Sequence, residues 1–87
     1  MHKANVVFAC TENSQMKAIA LLVQKASAFE SSIYILKDDR RANAKSLLGL
    51  ISLGIDDKDT LCVQAEGSDS EQAVASLISF LLAADVS

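Results

Sequence analysis

The sequence predicts an α+β fold: one four-stranded, mostly antiparallel sheet with three helices packed on one face. Three observations predict it. The runs of strand formers and helix formers come in the order βαββαβα. Each strand-like run has one strongly apolar face, and each long helical run has one apolar stripe. The economical way to bury such faces is a single sheet with all helices on one side. The other face of the sheet then meets water, and alternation points Tyr34, Leu36, Cys62 and Gln64 that way.

Asn5-Val-Val-Phe-Ala9 reads as the first strand. Thr11 to Ser14 is polar and turn-like, and Asn13 or Ser14 can cap the helix beyond it. Met16, Ile19, Ala20, Val23 and Ala26 recur at helical spacing, which predicts an amphipathic helix from about Gln15 to Ala28. Ser31-Ser32 ends that unit. Ile33-Tyr-Ile-Leu-Lys37 is a second strand, Asp38-Asp39 a turn, and Arg40 to Asn43 the second arm of a hairpin. A short apolar helix then runs from the Ser46 position to about Leu53, with Gly54 as its stop. Asp56 to Asp59 is a charged turn, and Thr60-Leu-Cys-Val-Gln-Ala65 the last strand, broken by Gly67 and Ser68. Ser68 with Glu71, or Asp69 with Gln72, fits a capping box. The final helix, about Ser70 to Ala84, aligns Ala73, Val74, Leu77, Ile78, Leu81 and Leu82. There is no internal repeat, low-complexity segment or linker, so residues 1–87 read as one domain.

Composition narrows the function. At 87 residues the core must be lean. The net charge of −3 argues against nucleic acid or an anionic membrane as the main partner, and the Arg40-Arg41 pair is too small to reverse that. No apolar run approaches a membrane span and the start lacks a signal-peptide core, so the cytosol is expected. Cys10 and Cys62 have no metal-ligand spacing and read as reduced thiols. His2, the only histidine, is expected at a mobile terminus. No nucleophile–base pair, metal cluster or glycine-rich phosphate loop appears, and the aspartate pairs read as solvated turns. The chain is therefore read as a non-enzyme without a cofactor.

The most informative stretch is Ala42 to Gly54, which sets Ser46 at the mouth of a short helix just after Lys45. A hydroxyl there caps the helix. A phosphate there would meet free backbone N–H groups, with Lys45 near enough to help. Leu47 and Leu50 are expected to pack inward, while Leu48 and Ile51 are divided between core and docking.

The element order, Asn43-Ala-Lys-Ser46, the closing Ala65-Glu-Gly-Ser-Asp-Ser-Glu-Gln-Ala73, and Val23-Gln-Lys-Ala26 with Phe29 together resemble the HPr family. These are the small phosphocarriers of the bacterial sugar phosphotransferase system. The likeness spans nearly the whole chain without a gap and implies an open-faced β-sandwich. In that family a histidine at the start of the first helix accepts phosphate. It comes after a Gly-Leu pair and precedes a Thr-Arg-Pro-like run. The matching run here is Asn13-Ser-Gln-Met-Lys-Ala18, which puts Gln15 at the histidine's position. A neutral imidazole nitrogen has a lone pair that attacks phosphorus; a carboxamide nitrogen, delocalised into its carbonyl, does not.

Loss of the histidine with retention of a serine matching Ser46 resembles the Crh-like paralogues. The resemblance implies phosphorylation of Ser46 by an HPr kinase/phosphorylase. It also implies reading of the phosphoserine by a catabolite-control transcription factor. Gln15, Lys17, Lys45, Leu47, Leu48 and Ile51 are then the candidate partner-binding residues. Lys17 and Ala18 replace the Arg-Pro of Crh-like chains, and a lysine lacks the bidentate fork of arginine. Crh-like proteins can dimerise by exchanging the first strand, and Asn5 to Ala9 could do so here. Two alternatives stand beside this regulatory reading: a phosphocarrier using another acceptor, and an HPr-like binding module that is never phosphorylated.

Overall fold

The computed structural model describes residues 1–9 and 15–82. Seven elements appear in the expected order: β1 (His2–Val7), α1 (Gln15–Ser27), β2 (Ser32–Lys37), β3 (Arg40–Asn43), α2 (Leu47–Leu53), β4 (Thr60–Glu66) and α3 (Ser70–Leu82). The strands form one sheet in the order β1-β4-β2-β3, every pairing antiparallel. Cys10, the polar run Thr11 to Ser14 with its expected caps, and Ala83-Ala84 lie outside the described residues.

Period-two alternation sorts the side chains. Val6, Ile33, Ile35, Leu61, Val63 and Ala65 are buried on one face with residues from all three helices. Tyr34, Leu36, Cys62 and Gln64 stay half-buried on the other. There the Arg41 guanidinium lies over the Tyr34 ring, 4.6 Å from its centre, and covers part of that apolar surface.

Three boundaries or faces differ from expectation. β1 begins at His2 rather than Asn5, and ends at Val7. His2-Lys3-Ala4 has no strand-forming signature, but β4 offers a ladder that runs from His2↔Ala65 to Val7↔Thr60. Phe8 and Ala9 then leave the ladder; the Ala9 N–H donates to the Leu81 carbonyl in α3 (3.0 Å). His2 is therefore seated in a strand, with Nδ1 2.8 Å from Ser70 Oγ. In α1 the buried face is Ala18, Ile19, Leu22 and Ala26, leaving Ala20 and Met16 outside. Lys17, Gln24, Lys25 and Ser27 occupy the outer side of that helix, and Met16 and Ala20 fall at the edge of the apolar stripe rather than at its centre. In α3 the inner stripe is as expected, except that Ile78 is half-buried and Leu82 exposed.

The capping-box expectation at Asp69 gives way to a longer-range contact. Its carboxylate accepts from the Glu30 N–H (2.9 Å), the Ser31 N–H (3.0 Å) and the Ser31 hydroxyl. These bonds tie the loop after α1 to the start of α3. They hold the Asp69 carboxyl below its ordinary value, the Ser31 hydroxyl most of all and the Glu30 N–H next. Gly67 allows the approach: its φ is +148°, and a Cβ there would sit 2.8 Å from the Ser31 Cα.

Candidate functional site

The site is built around α2. Ser46 has extended dihedrals (φ −113°, ψ 109°), as a residue before a helix must, and its Oγ accepts from the Gly49 N–H at 3.1 Å. Asn43 sets this up: its Oδ1 accepts from the Lys45 N–H (2.8 Å) and its carbonyl from the Ser46 N–H (3.0 Å). Ser46 is half-buried. At the other end Gly54 is left-handed (φ 76°) and donates its N–H to the Ile51 carbonyl.

Only two residues of this helix enter the core. Leu50 and Leu53 are buried. Leu48 is 75% exposed, Leu47 42% and Ile51 41%. Leu47, expected inside, lies outside instead. A seven-residue helix resting on β3 and the start of α1 can turn only one narrow stripe inward, and the spacing of Leu50 and Leu53 takes it. Leu48 and Ile51 take the outer place that sequence had left undecided.

Gln15 opens α1, and its carboxamide nitrogen donates to the Ile55 carbonyl (2.7 Å) and to Asp56 Oδ1 (2.6 Å). The start of α1 is thereby tied to the segment just past α2. Between them runs a groove of about 410 Å³ lined by Gln15, Met16, Ile19, Ile51, Gly54, Ile55 and Asp56. Met16 is 58% exposed at its edge. Asp56 is thus more than a solvated turn residue. Lys17 is exposed and does not line the groove. Lys45 does not reach over Ser46: its Nζ donates to the Phe29 carbonyl at 2.7 Å, satisfying the chain end just past α1.

Two further residues hold α2, and sequence reading missed both. Arg40 Nη2 donates to the Ser52 carbonyl (3.0 Å) and the Leu53 carbonyl. Lys37 Nζ donates to the Gly54 carbonyl and pairs with Asp59 Oδ2 at 2.7 Å. The hydrogen bond from Lys37 is the main reason the Asp59 carboxyl lies below its ordinary value; partial burial opposes it, and the Asp56 N–H adds to it. Two cations flanking a two-residue turn, just before a helix with no basic residue in its own last turn, were the available signal.

Among the described residues, no group of three or more His, Cys, Asp or Glu could hold a metal ion, and no helix is long and apolar enough to cross a membrane.

Comparison with known proteins decides the family. Residues 2–82 match the family model described as the PTS HPr component phosphorylation site. The chain belongs to the HPr family. The HPr-like protein Crh of Halalkalibacterium halodurans is 43% identical over 67 residues, 77% of this chain and 80% of that one. The phosphocarrier HPr of Bacillus anthracis superposes with a TM-score of 0.87 at 34% identity, covering 92% of this HPr-family chain and 95% of its own. Crh of Bacillus subtilis, a catabolite-repression protein described as a swapped-domain dimer, superposes with a TM-score of 0.74 at 27% identity over 94% and 90%. The fold expected from sequence is the fold these structures share. The phosphocarrier and regulatory branches of the family both lie among them.

Proposed function

We propose that this HPr-family chain is a cytosolic regulator, switched by phosphorylation at Ser46 and read by protein partners in carbon catabolite control. The observation that carries this reading is the state of Gln15. At the position of the family's phosphate acceptor stands a carboxamide whose nitrogen has no available lone pair and already donates to Ile55 and Asp56. A phosphoryl relay at this position has no nucleophile.

Ser46 is left as the switch. A kinase would transfer the γ-phosphoryl group of ATP to Oγ, with loss of the hydroxyl proton and release of ADP. The product gains about −1.5 to −2 charges and three acceptor oxygens beside the first turn of α2. Because Lys45 is engaged at Phe29, the new charge stays open to a partner. It stands next to the exposed Leu47, Leu48 and Ile51, so the modification alters the surface and leaves the fold in place. The partners on this reading are an HPr kinase/phosphorylase and a catabolite-control transcription factor, with Gln15, Lys17, Lys45, Leu47, Leu48 and Ile51 in or beside the contact. Self-association through β1 is compatible with an edge strand that pairs on one side only, and Crh of Bacillus subtilis is described as a swapped dimer.

Incubation with HPr kinase and ATP, then intact mass measurement, tests the reading. The wild type gains one phosphoryl mass and Ser46→Ala gains none. An unmodified wild type favours a module that binds without phosphorylation. Acid-labile label taken from a phosphorylated donor enzyme and labelled phosphoenolpyruvate would restore the phosphocarrier reading.

A further inference from the structure

The rim of the groove between α1 and α2 has a one-sided hydrogen-bonding character. A carboxamide carries two N–H donors and one carbonyl acceptor. Both Gln15 donors are engaged, one by the Ile55 carbonyl and one by Asp56 Oδ1. Those partners accept only, so the amide has a single orientation, nitrogen toward the loop. The acceptors that remain on these two side chains are the Gln15 carbonyl oxygen and the second carboxylate oxygen of Asp56, a residue exposed to solvent.

Among the described residues that line the groove, no side-chain cation offsets them. Arg40 is held at the Ser52 and Leu53 carbonyls, and Lys37 between the Gly54 carbonyl and Asp59. Lys17 lies two positions beyond Gln15, about 200° further round the helix, and does not line the groove. Behind the two acceptors the walls are apolar: Met16, Ile19, Ile51 and Ile55.

We infer that this end of the groove binds a basic side chain adjoining an apolar one on a partner protein. The apolar side chain packs on Met16, Ile51 and Ile55. The cation meets Asp56 and the Gln15 carbonyl. A guanidinium suits the pair of acceptors better than an ammonium, because its fork presents two N–H groups at once. The same rim disfavours an incoming phosphoryl group, whose oxygens would face a carboxylate. The inference rests on reading this face as a protein-docking surface and names the chemistry it selects at the end remote from Ser46.

The test is an NMR titration of the ¹⁵N-labelled chain with four probes: a capped leucyl-arginine dipeptide, its citrulline and glutamate counterparts, and inorganic phosphate. The arginine peptide is expected to give saturable shifts at the Gln15 side-chain amide, Ile51, Ile55 and Asp56, with a dissociation constant of about 1–10 mM. The citrulline peptide should bind about fivefold more weakly, the increment of an exposed charge pair. Glutamate peptide and phosphate should leave these signals in place. Asp56→Asn should reduce the arginine peptide to the citrulline level, with the remaining amide spectrum preserved. Gln15→Leu, which removes the other acceptor, should weaken the arginine peptide as well. Equal binding of arginine and citrulline, saturation at other residues, no saturable shift up to about 20 mM, or phosphate binding at Gln15 would each overturn the inference. Ser46 phosphorylation is read by mass on the unliganded chain, so that reading can fail or stand separately.

Discussion

The two ends of α2 are held by opposite means. At its entrance a neutral hydroxyl, Ser46, accepts one N–H three residues on, helped by Asn43 in the adjoining turn. At its exit Arg40, Lys37 and the left-handed Gly54 converge on the last carbonyls, while Gln15 arrives from the far side at Ile55 and Asp56. The entrance is local, uncharged and half-exposed. The side-chain ties of the exit come from residues 12 to 41 positions away. A seven-residue helix is too short to persist on its own in water. Anchoring it at the exit leaves the entrance free to change its chemistry without unravelling the helix.

The contrast can be broken from the exit first. Arg40→Ala removes bonds to two carbonyls at the end of α2, and should cost about 1.5–2 kcal/mol in urea unfolding. A loss no greater than that of Ser46→Ala would show that the exit is no firmer than the entrance. Gly54→Ala forces a side chain into left-handed backbone and should cost about 1–1.5 kcal/mol, measured the same way. Ser46→Ala loses only a cap, about 1 kcal/mol.

The smallest effect is electrostatic. The Asp59 and Asp69 carboxyls are both held below their ordinary values in the folded chain. The unfolded chain therefore binds protons first as acid is added. The stability they contribute is complete above the unfolded aspartate value, about pH 4, and is lost as pH falls through the folded values. Stability measured from about pH 7 to about pH 2.5 should be flat in its upper part and fall below about pH 4. Asp59→Asn should make that fall shallower, by removing the titrating partner of Lys37 at the exit. An unchanged slope would detach Asp59 from the anchoring of α2.

The same divide separates the features legible in the sequence from those that were not. The Ser46 cap, the Gly54 stop, the Asp38-Asp39 turn and the register of the hairpin depend on residues within a few positions of one another. Local rules reach them. Gln15 with Asp56, Lys45 with Phe29, Asp69 with Ser31, and Arg40 with Ser52 are brought together only when the sheet forms, and none has a local pattern. Leu47 failed for a different reason. In an almost wholly apolar helix the pattern does not mark an inner face, and the neighbours decide it. The local caps and turns around α2 were therefore legible in the sequence, and the long-range wiring was not.

Tyr34 is the only tyrosine, and the chain has no tryptophan. Its tyrosine emission comes from a single ring, lodged on the bare side of the sheet beneath the Arg41 guanidinium. Anything that displaces that guanidinium changes the signal. Arg41 also lines a shallow pocket with Gly49, Ser52 and Leu53 of α2, which brings events at that helix within reach of this native optical probe.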